Sequence, residues 1–208
     1  MASDILRFFR AWMFDPLRVA SITPSSAALA RLMVSEIGAA TGSVIELGPG
    51  TGVFTQALIR QGVSEDRLIL VEKGAEFATI LRPRFPRARL LRIDAADIGD
   101  AIGPHPAQAG AVVSGLPLLS MTATTVAAIL DGSFAHLRED GCFYQFTYGP
   151  RCPVPGKLLE ALGLEAIRVG RTLRNIPPAA VYRITRRPVP LQANPARPPG
   201  IAMIRERA

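Results

Sequence analysis

The run Val44-Ile-Glu-Leu-Gly-Pro-Gly-Thr-Gly-Val53 carries the sharpest chemical signal in the chain. A short apolar strand ends at Leu47, three glycines alternate, and a helix opens near Val53. Gly48, Gly50 and Gly52 let the backbone turn sharply and let a ligand approach it closely. Many nucleotide sites share a G-x-G-x-G pattern, so the glycines alone decide little. Glu46 narrows the reading: an acid inside the strand end repels a pyrophosphate and attracts a cationic amino-acid moiety. That argues against NAD or FAD and for S-adenosyl-L-methionine, whose spent form is S-adenosyl-L-homocysteine. Leu70-Val-Glu-Lys73 then places Glu72 at the end of a second strand, where a carboxylate can accept both ribose hydroxyls. Asp94-Ala-Ala-Asp97 follows a third strand, with Asp94 for the adenine amino group and the Ala95 N–H for the ring. One acid at a strand end is most often a solvated surface residue. Three at the ends of three successive strands are much harder to get by accident.

The fourth strand ends in Val113-Ser-Gly-Leu-Pro-Leu118, where a methyl acceptor would meet the donor at the topological switch point. The Ser114 hydroxyl and the carbonyls of the turn through Pro117 are expected to point at the acceptor nitrogen. A plain strand-to-helix turn also favours Gly and Pro. Tyr148 closes the fifth strand. Its hydroxyl could bond an amine or phosphate, and its ring could face a methylated ammonium for about 0.5–2 kcal/mol. It could equally be a core tyrosine. Methyl transfer from a sulfonium is an in-line displacement that depends on alignment and desolvation. The attacking amine must be neutral, and excluding water beside a sulfonium depresses its pKa. No dedicated base stands out. His105, in a Gly/Pro-rich loop, and His136, near the end of a long helix, read as structural or solvated, so the proton would leave through water. No His/Cys/carboxylate cluster has metal-ligand spacing, so no metal is expected.

The elements that must hold these residues alternate. Val44–Leu47, Leu68–Val71, Arg89–Ile93 and Ala111–Ser114 read as buried strands, with helices over Val53–Gln61, Gly74–Leu81 and Thr122–Leu137. Gly141–Tyr148 is an aromatic-rich fifth strand. A short helix around Lys157–Leu162 and an antiparallel pair, Glu165–Thr172 and Ala180–Thr185, complete the set. The pattern predicts an α/β fold, a Rossmann-like and mostly parallel sheet with an antiparallel C-terminal hairpin and helices on both faces. Residues 1–40 read as an amphipathic helix and a lead-in helix, 41–187 as the catalytic domain, and 188–208 as a Pro/Arg-rich tail.

Residues 4–15 form an amphipathic segment, with Ile5, Phe8, Phe9, Trp12 and Met13 on one stripe and Arg7 and Arg10 opposite. Phe14 falls on the polar side, and Pro16 ends the helix. It either packs on its own domain or lies in a membrane interface with its arginines towards phosphates. The chain of 208 residues carries a net charge of +7, in which residues 36–150 contribute −3 and residues 151–208 contribute +8. This basic excess outside the core suits an anionic partner, either phospholipid or nucleic acid. Five arginines and no acid lie between Arg82 and Arg92, and Arg168, Arg171, Arg174, Arg183, Arg186 and Arg187 follow; these are expected to face phosphates, the plain alternative for the 82–92 run being an ordinary solvated face. Cys142 and Cys152 read as free thiols in a reducing compartment. No run approaches the roughly 18 apolar residues of a membrane span, so a cytoplasmic protein, soluble or peripheral, is expected.

Glu46–Gly52, Glu72, Asp94 and Ser114–Pro117 together resemble the class I methyltransferases, in the branch shared with ribosomal RNA adenine dimethylases. Phe14–Ser26, Ile45–Thr55, Ser114-Gly-Leu-Pro117 and Phe146-Thr-Tyr-Gly-Pro150 more closely resemble bacterial phospholipid N-methyltransferases. The likeness runs from about residue 5 to 187. It implies methylation of phosphatidylethanolamine, stepwise towards phosphatidylcholine, by an enzyme peripherally bound to the inner membrane through anionic lipids. It implies donor contacts from Glu46, Gly48, Gly50, Thr51, Gly52, Glu72, Lys73, Asp94, Ala95, Ser114 and Gly115. Substrate contacts would come from Ser25, Leu116, Pro117 and Tyr148, with Ser114 and Tyr148 nearest the chemistry. Membrane contacts would come from Arg7, Phe8, Arg10, Trp12, Phe14 and Arg18. An RNA adenine-N6 dimethyltransferase is the first alternative, but that class stacks the extruded base on an aromatic residue after the Leu-Pro turn. Here the position is Leu118, and only about 20 Pro/Arg-rich residues follow the last strand, which disfavours nucleic acid. A donor-binding membrane-surface protein without catalysis is the second.

Overall fold

Seven strands form one sheet in the order β3-β2-β1-β4-β5-β7-β6. In this computed structural model, which describes residues 24–101, 108–173 and 177–188, the strands are β1 (Val44–Leu47), β2 (Leu68–Val71), β3 (Arg89–Leu91), β4 (Ala109–Ser114), β5 (Leu137–Thr147), β6 (Leu164–Thr172) and β7 (Ala179–Arg186). Strands β1 to β5 pair in parallel, and β7 runs antiparallel to both β5 and β6. The expected fold is therefore the observed one. The chain steps outward from β1 to β3 and returns to place β4 on the other side of β1. The switch point lies between β1 and β4, where the carboxyl ends open a crevice for a ligand.

Among the described residues the α-helices are α1 (Pro24–Met33), α2 (Val53–Arg60), α3 (Ala75–Arg84), α4 (Ile98–Ala101), α5 (Ala123–His136) and α6 (Gly156–Ala161). They cover both faces, because alternate strand residues point to opposite sides. Leu29, Met33, Phe54, Leu58 and Leu81 pack against Val44, Val113, Tyr144 and Val181 on one face. Ile98, Ile129, Leu130 and Leu159 pack against Ile45, Leu47, Val112 and Phe143 on the other.

Several boundaries move. β3 closes at Leu91 rather than Ile93, and α3 runs three residues past Leu81. β5 begins at Leu137, directly after α5, rather than at Gly141. Arg186 braces that abrupt junction. Its guanidinium donates to the carbonyls of Phe134 (2.5 Å), at the end of α5, and of Leu137 (3.2 Å), Arg138 (2.8 Å) and Glu139 (3.2 Å), at the start of β5. It also lies 5.1 Å from the centre of the Phe134 ring.

Arg183 and Arg187 are likewise used internally, on both Glu36 carboxylate oxygens and on the Leu164 carbonyl. These three arginines, which the sequence suggested as phosphate-facing charges, are thus bonded within the fold. Arg168 and Arg171, on edge strand β6, are exposed. The segment 4–15 with Arg7, Phe8, Arg10, Trp12 and Phe14 lies outside the described residues, as do Arg18, His105, Arg174 and the tail beyond 188. No helix among the described residues is long and apolar enough to cross a membrane.

Candidate active site

Glu46, the third residue of β1, is completely buried beneath the glycine loop. The Thr55 hydroxyl, in the first turn of α2, donates to its Oε2 at 2.6 Å. Its Oε1 has no partner among the described residues. Burial pushes the carboxyl up from its ordinary 4.5 to about 7; the Thr55 bond opposes this and the nearby Glu72 charge adds to it. A buried acceptor with an empty lone pair fits a ligand that brings a cation or a hydrogen-bond donor.

The loop above it is held from two sides. Gly52 adopts φ 83°, and a Cβ there would run into the Phe85 ring. The neighbouring Arg84 sits 5.3 Å over that ring and donates to the Thr51 carbonyl at 2.5 Å. On the other side, Glu72 Oε2 accepts the Gly50 N–H at 3.2 Å and Oε1 accepts the Gly74 N–H at 2.7 Å. Each oxygen keeps a second lone pair, as acceptance of a ribose diol requires. A Cβ on Gly50 would meet nothing within 4 Å, so the outer surface of the loop is open.

Asp94 and Lys73, proposed separately from sequence, meet at 2.8 Å across the ends of β3 and β2. Asp94 also caps the turn 95–97 by accepting the Ala96 N–H at 3.0 Å. That backbone bond first, and Lys73 second, hold its carboxyl below the usual range. Ala95, buried, begins the turn. The residues expected to hold the donor thus lie along the carboxyl ends of β1, β2 and β3.

The Ser114–Pro117 turn touches the glycine loop. The Gly115 N–H donates to the Leu47 carbonyl at 2.8 Å, and a Cβ on Gly115 would stand 2.7 Å from the Gly48 carbonyl oxygen. A Cβ on Gly48 would in turn stand 2.8 Å from the Leu116 side chain. Ser114 is fully buried, and its oxygen accepts the Leu116 N–H at 3.3 Å. The Leu116 carbonyl accepts from the Leu118 N–H and from Gln145 Nε2, both at 3.0 Å, and the Pro117 carbonyl accepts the Ser120 N–H at 2.8 Å. The turn's groups at Ser114, Leu116 and Pro117, expected from sequence to face the acceptor, are thus engaged in shaping the turn. Leu118 is buried in the core.

Tyr148 lies just beyond β5, half-buried, with its ring edge-on to Phe146 at 5.5 Å. Phe146 is edge-on to Phe54 at 5.9 Å. This aromatic row joins the predicted substrate tyrosine to the first turn of α2. Ser25 stands in the first turn of α1. His136 contacts the carbonyls of Ile98 (3.0 Å) and Gly99 (3.2 Å) through Nε2 and ties α5 to α4, a structural position.

Thr55, Phe85 and Gln145 carry no role in the sequence reading, and Arg84, expected there only as one of the phosphate-facing run, instead bonds the Thr51 carbonyl. Gln145 was the most visible, a lone amide within the apolar run Cys-Phe-Tyr-Gln-Phe. Thr55 left a weaker trace, a hydroxyl two residues inside α2. Nothing local marks Arg84 or Phe85, which reach a loop more than thirty residues upstream.

No family model matches the chain. The ornithine lipid N-methyltransferase of Singulisphaera acidiphila is 31% identical over 186 residues, covering 86% of this chain and 94% of that protein. The ribosomal RNA small subunit methyltransferase A of a Synechococcus strain is 29% identical over 136 residues, 64% of this chain but only 44% of that protein. Among solved structures, the 1,6-didemethyltoxoflavin-N1-methyltransferase of Burkholderia thailandensis, with bound 1,6-didemethyltoxoflavin and S-adenosylhomocysteine, superposes with a TM-score of 0.58. It covers 88% of this chain and 89% of that one at 17% identity, a likeness of fold.

Proposed function

This chain belongs to the S-adenosyl-L-methionine-dependent class I methyltransferases, in the family of the ornithine lipid N-methyltransferase of Singulisphaera acidiphila, and we propose that it methylates the amine of phosphatidylethanolamine at a membrane surface, stepwise towards phosphatidylcholine. The acceptor turn carries this reading. A base-methylating site needs an aromatic face after the Leu-Pro turn, and here the side chain is Leu118, buried beneath it. A flexible headgroup amine needs no such face. The relative whose name specifies a lipid amine also matches over nearly its whole length.

When bound, S-adenosyl-L-methionine supplies an electrophilic methyl group on a sulfonium and leaves as S-adenosyl-L-homocysteine. The residues of the chain align and desolvate the reactants. Glu46 Oε1 would meet the donor's ammonium, Glu72 its ribose hydroxyls, and Asp94 and the Ala95 N–H its adenine. Gly48 and Gly115 hold the donor loop against the acceptor turn, so both reactants share one crevice. Tyr148 would face the headgroup, its ring favouring each added methyl on the ammonium. The amine gives up its proton to water. Residues 4–15, with Arg18, Arg168 and Arg171, would hold the enzyme on the anionic cytoplasmic face of the inner membrane, each arginine contributing about 1 kcal/mol.

A second reading is favoured by the name of that same relative: the amine of ornithine lipid, which asks for the same chemistry on a different headgroup. The deciding experiment is methyl transfer from radiolabelled S-adenosylmethionine to phosphatidylethanolamine vesicles, ornithine-lipid vesicles and ribosomal RNA in parallel. Labelled mono-, di- and trimethylated phosphatidylethanolamine is expected. Glu72→Ala should abolish the label while vesicle binding persists. Label in RNA with both lipids silent would overturn the proposal.

A further inference from the structure

Gln145 is a buried amide in an otherwise apolar stretch of β5, 1% exposed and directly opposite Ser114 in the β4–β5 register. Its Nε2 donates to two carbonyls, Leu116 at 3.0 Å and Phe146 at 2.9 Å. Only an NH2 group can face two acceptors, so the chemistry fixes the orientation of the amide. Its oxygen is then turned away and is left without a partner among the described residues. An unsatisfied buried oxygen destabilises a fold, and an apolar side chain of similar length would leave none. What an apolar side chain lacks is a link between Leu116 and Phe146.

That link is distinctive among the bonds that shape the Ser114–Pro117 turn. The bonds from Leu116 N–H to Ser114 Oγ and from Leu118 N–H to Leu116 O lie within the turn and its immediate continuation. The bond from Gly115 N–H to Leu47 joins the turn to the donor strand β1. The Gln145 side chain ties it to β5, the strand that leads into Tyr148.

We propose that Gln145 is a positioning residue for methyl transfer: its amide fixes the acceptor turn to β5 and so sets where the accepting nitrogen stands relative to the donor. The identity of the acceptor rests on the lipid-amine reading; the positioning of the turn does not. Glu72 and Asp94 lie at the ends of β2 and β3, on the far side of β1, and only the Gly115 side of the turn abuts the donor loop, so donor affinity should fall much less than turnover when this link is lost.

The test compares wild type with Gln145→Leu and Gln145→Glu, using donor titration, amide hydrogen exchange and lipid methylation kinetics. Gln145→Leu should keep donor affinity within about threefold, while kcat/KM for the lipid falls at least about tenfold, mostly in kcat. The Leu116 and Leu118 amides should lose protection while Gly50 and Gly74 keep theirs. In Gln145→Glu, an ionised carboxylate would face two carbonyls, whereas the protonated acid can donate to one of them. Its activity relative to wild type should therefore rise as the pH is lowered, a recovery that Gln145→Leu cannot show.

Unchanged protection at Leu116 and Leu118, or donor affinity falling as far as turnover, would overturn the assignment. If Gln145→Leu does not fold, Gln145→Glu decides by its pH profile, and a flat ratio counts against the proposal. A wild type that methylates no aminolipid would defeat the lipid reading, and the exchange data would still decide for Gln145.

Discussion

The Thr55 hydroxyl donates to one carboxylate oxygen of Glu46 at 2.6 Å and leaves the other oxygen buried without a partner. The strand that carries the acid and the helix that carries the hydroxyl are joined only by the glycine loop. One bond therefore sets the direction in which the acid presents its free oxygen beneath the glycine loop.

This arrangement makes stability fall as pH rises. The folded-state pKa of Glu46 is raised from 4.5 to about 7, so the folded protein binds an extra proton between those values. Ionising the buried acid costs the folded state up to about 3 kcal/mol above pH 7, a cost absent below about pH 4.5. Denaturant unfolding of the ligand-free protein and of Glu46→Gln at pH 5 and pH 8 measures it. Wild type should lose stability relative to the variant across that interval, and parallel curves would refute the assignment.

Donor binding should release a proton. The donor's ammonium favours the ionised form of Glu46, so its affinity should weaken as pH falls below about 7, approaching tenfold per pH unit well below it. Calorimetric titration at pH 6 in two buffers of different ionisation enthalpy counts the proton directly. A count of zero in wild type would mean that Glu46 does not meet the cation; Glu46→Gln should give zero.

Gly115→Ala should disturb both halves of the site together. Its new methyl would stand 2.7 Å from the Gly48 carbonyl oxygen, backbone that cannot rotate away. A stability loss of about 1–3 kcal/mol is expected, with donor affinity and turnover both reduced. Gly156→Ala, which meets nothing within 4 Å, is the control and should leave donor affinity and turnover unchanged. A Gly115→Ala protein with wild-type donor affinity would separate the two loops.

Arg186→Ala should lower stability and spare membrane binding. The substitution strips donors from four carbonyls at the α5–β5 junction, at a cost of about 1.5–3 kcal/mol. Thermal unfolding checks the loss. Vesicle sedimentation should show no change for this variant, and an affinity loss of about 2 kcal/mol or more for Arg168→Glu combined with Arg171→Glu. The reverse ranking would return Arg186 to the lipid surface.

Much of this protein is written locally in its sequence. Val44–Leu47 and Leu68–Val71 are strands at the residues that their apolar runs predict, because short buried strands need little more than apolar side chains bounded by turn residues. Glu46, Glu72 and Asp94 stand at consecutive strand ends for the same reason: a parallel sheet aligns the end of each strand along one edge. The glycine loop was legible because its backbone conformations leave few other residue types. What the tertiary structure alone decided is which polar groups find one another. Thr55 reaches Glu46, Lys73 reaches Asp94, Gln145 reaches Leu116, and Arg186 leaves the solvent for the end of α5. A hydrogen bond depends on tenths of an ångström between elements whose separation is set by packing and register. No spacing along the chain encodes that distance, so the same arginine can read as a lipid-facing charge and fold as a helix cap.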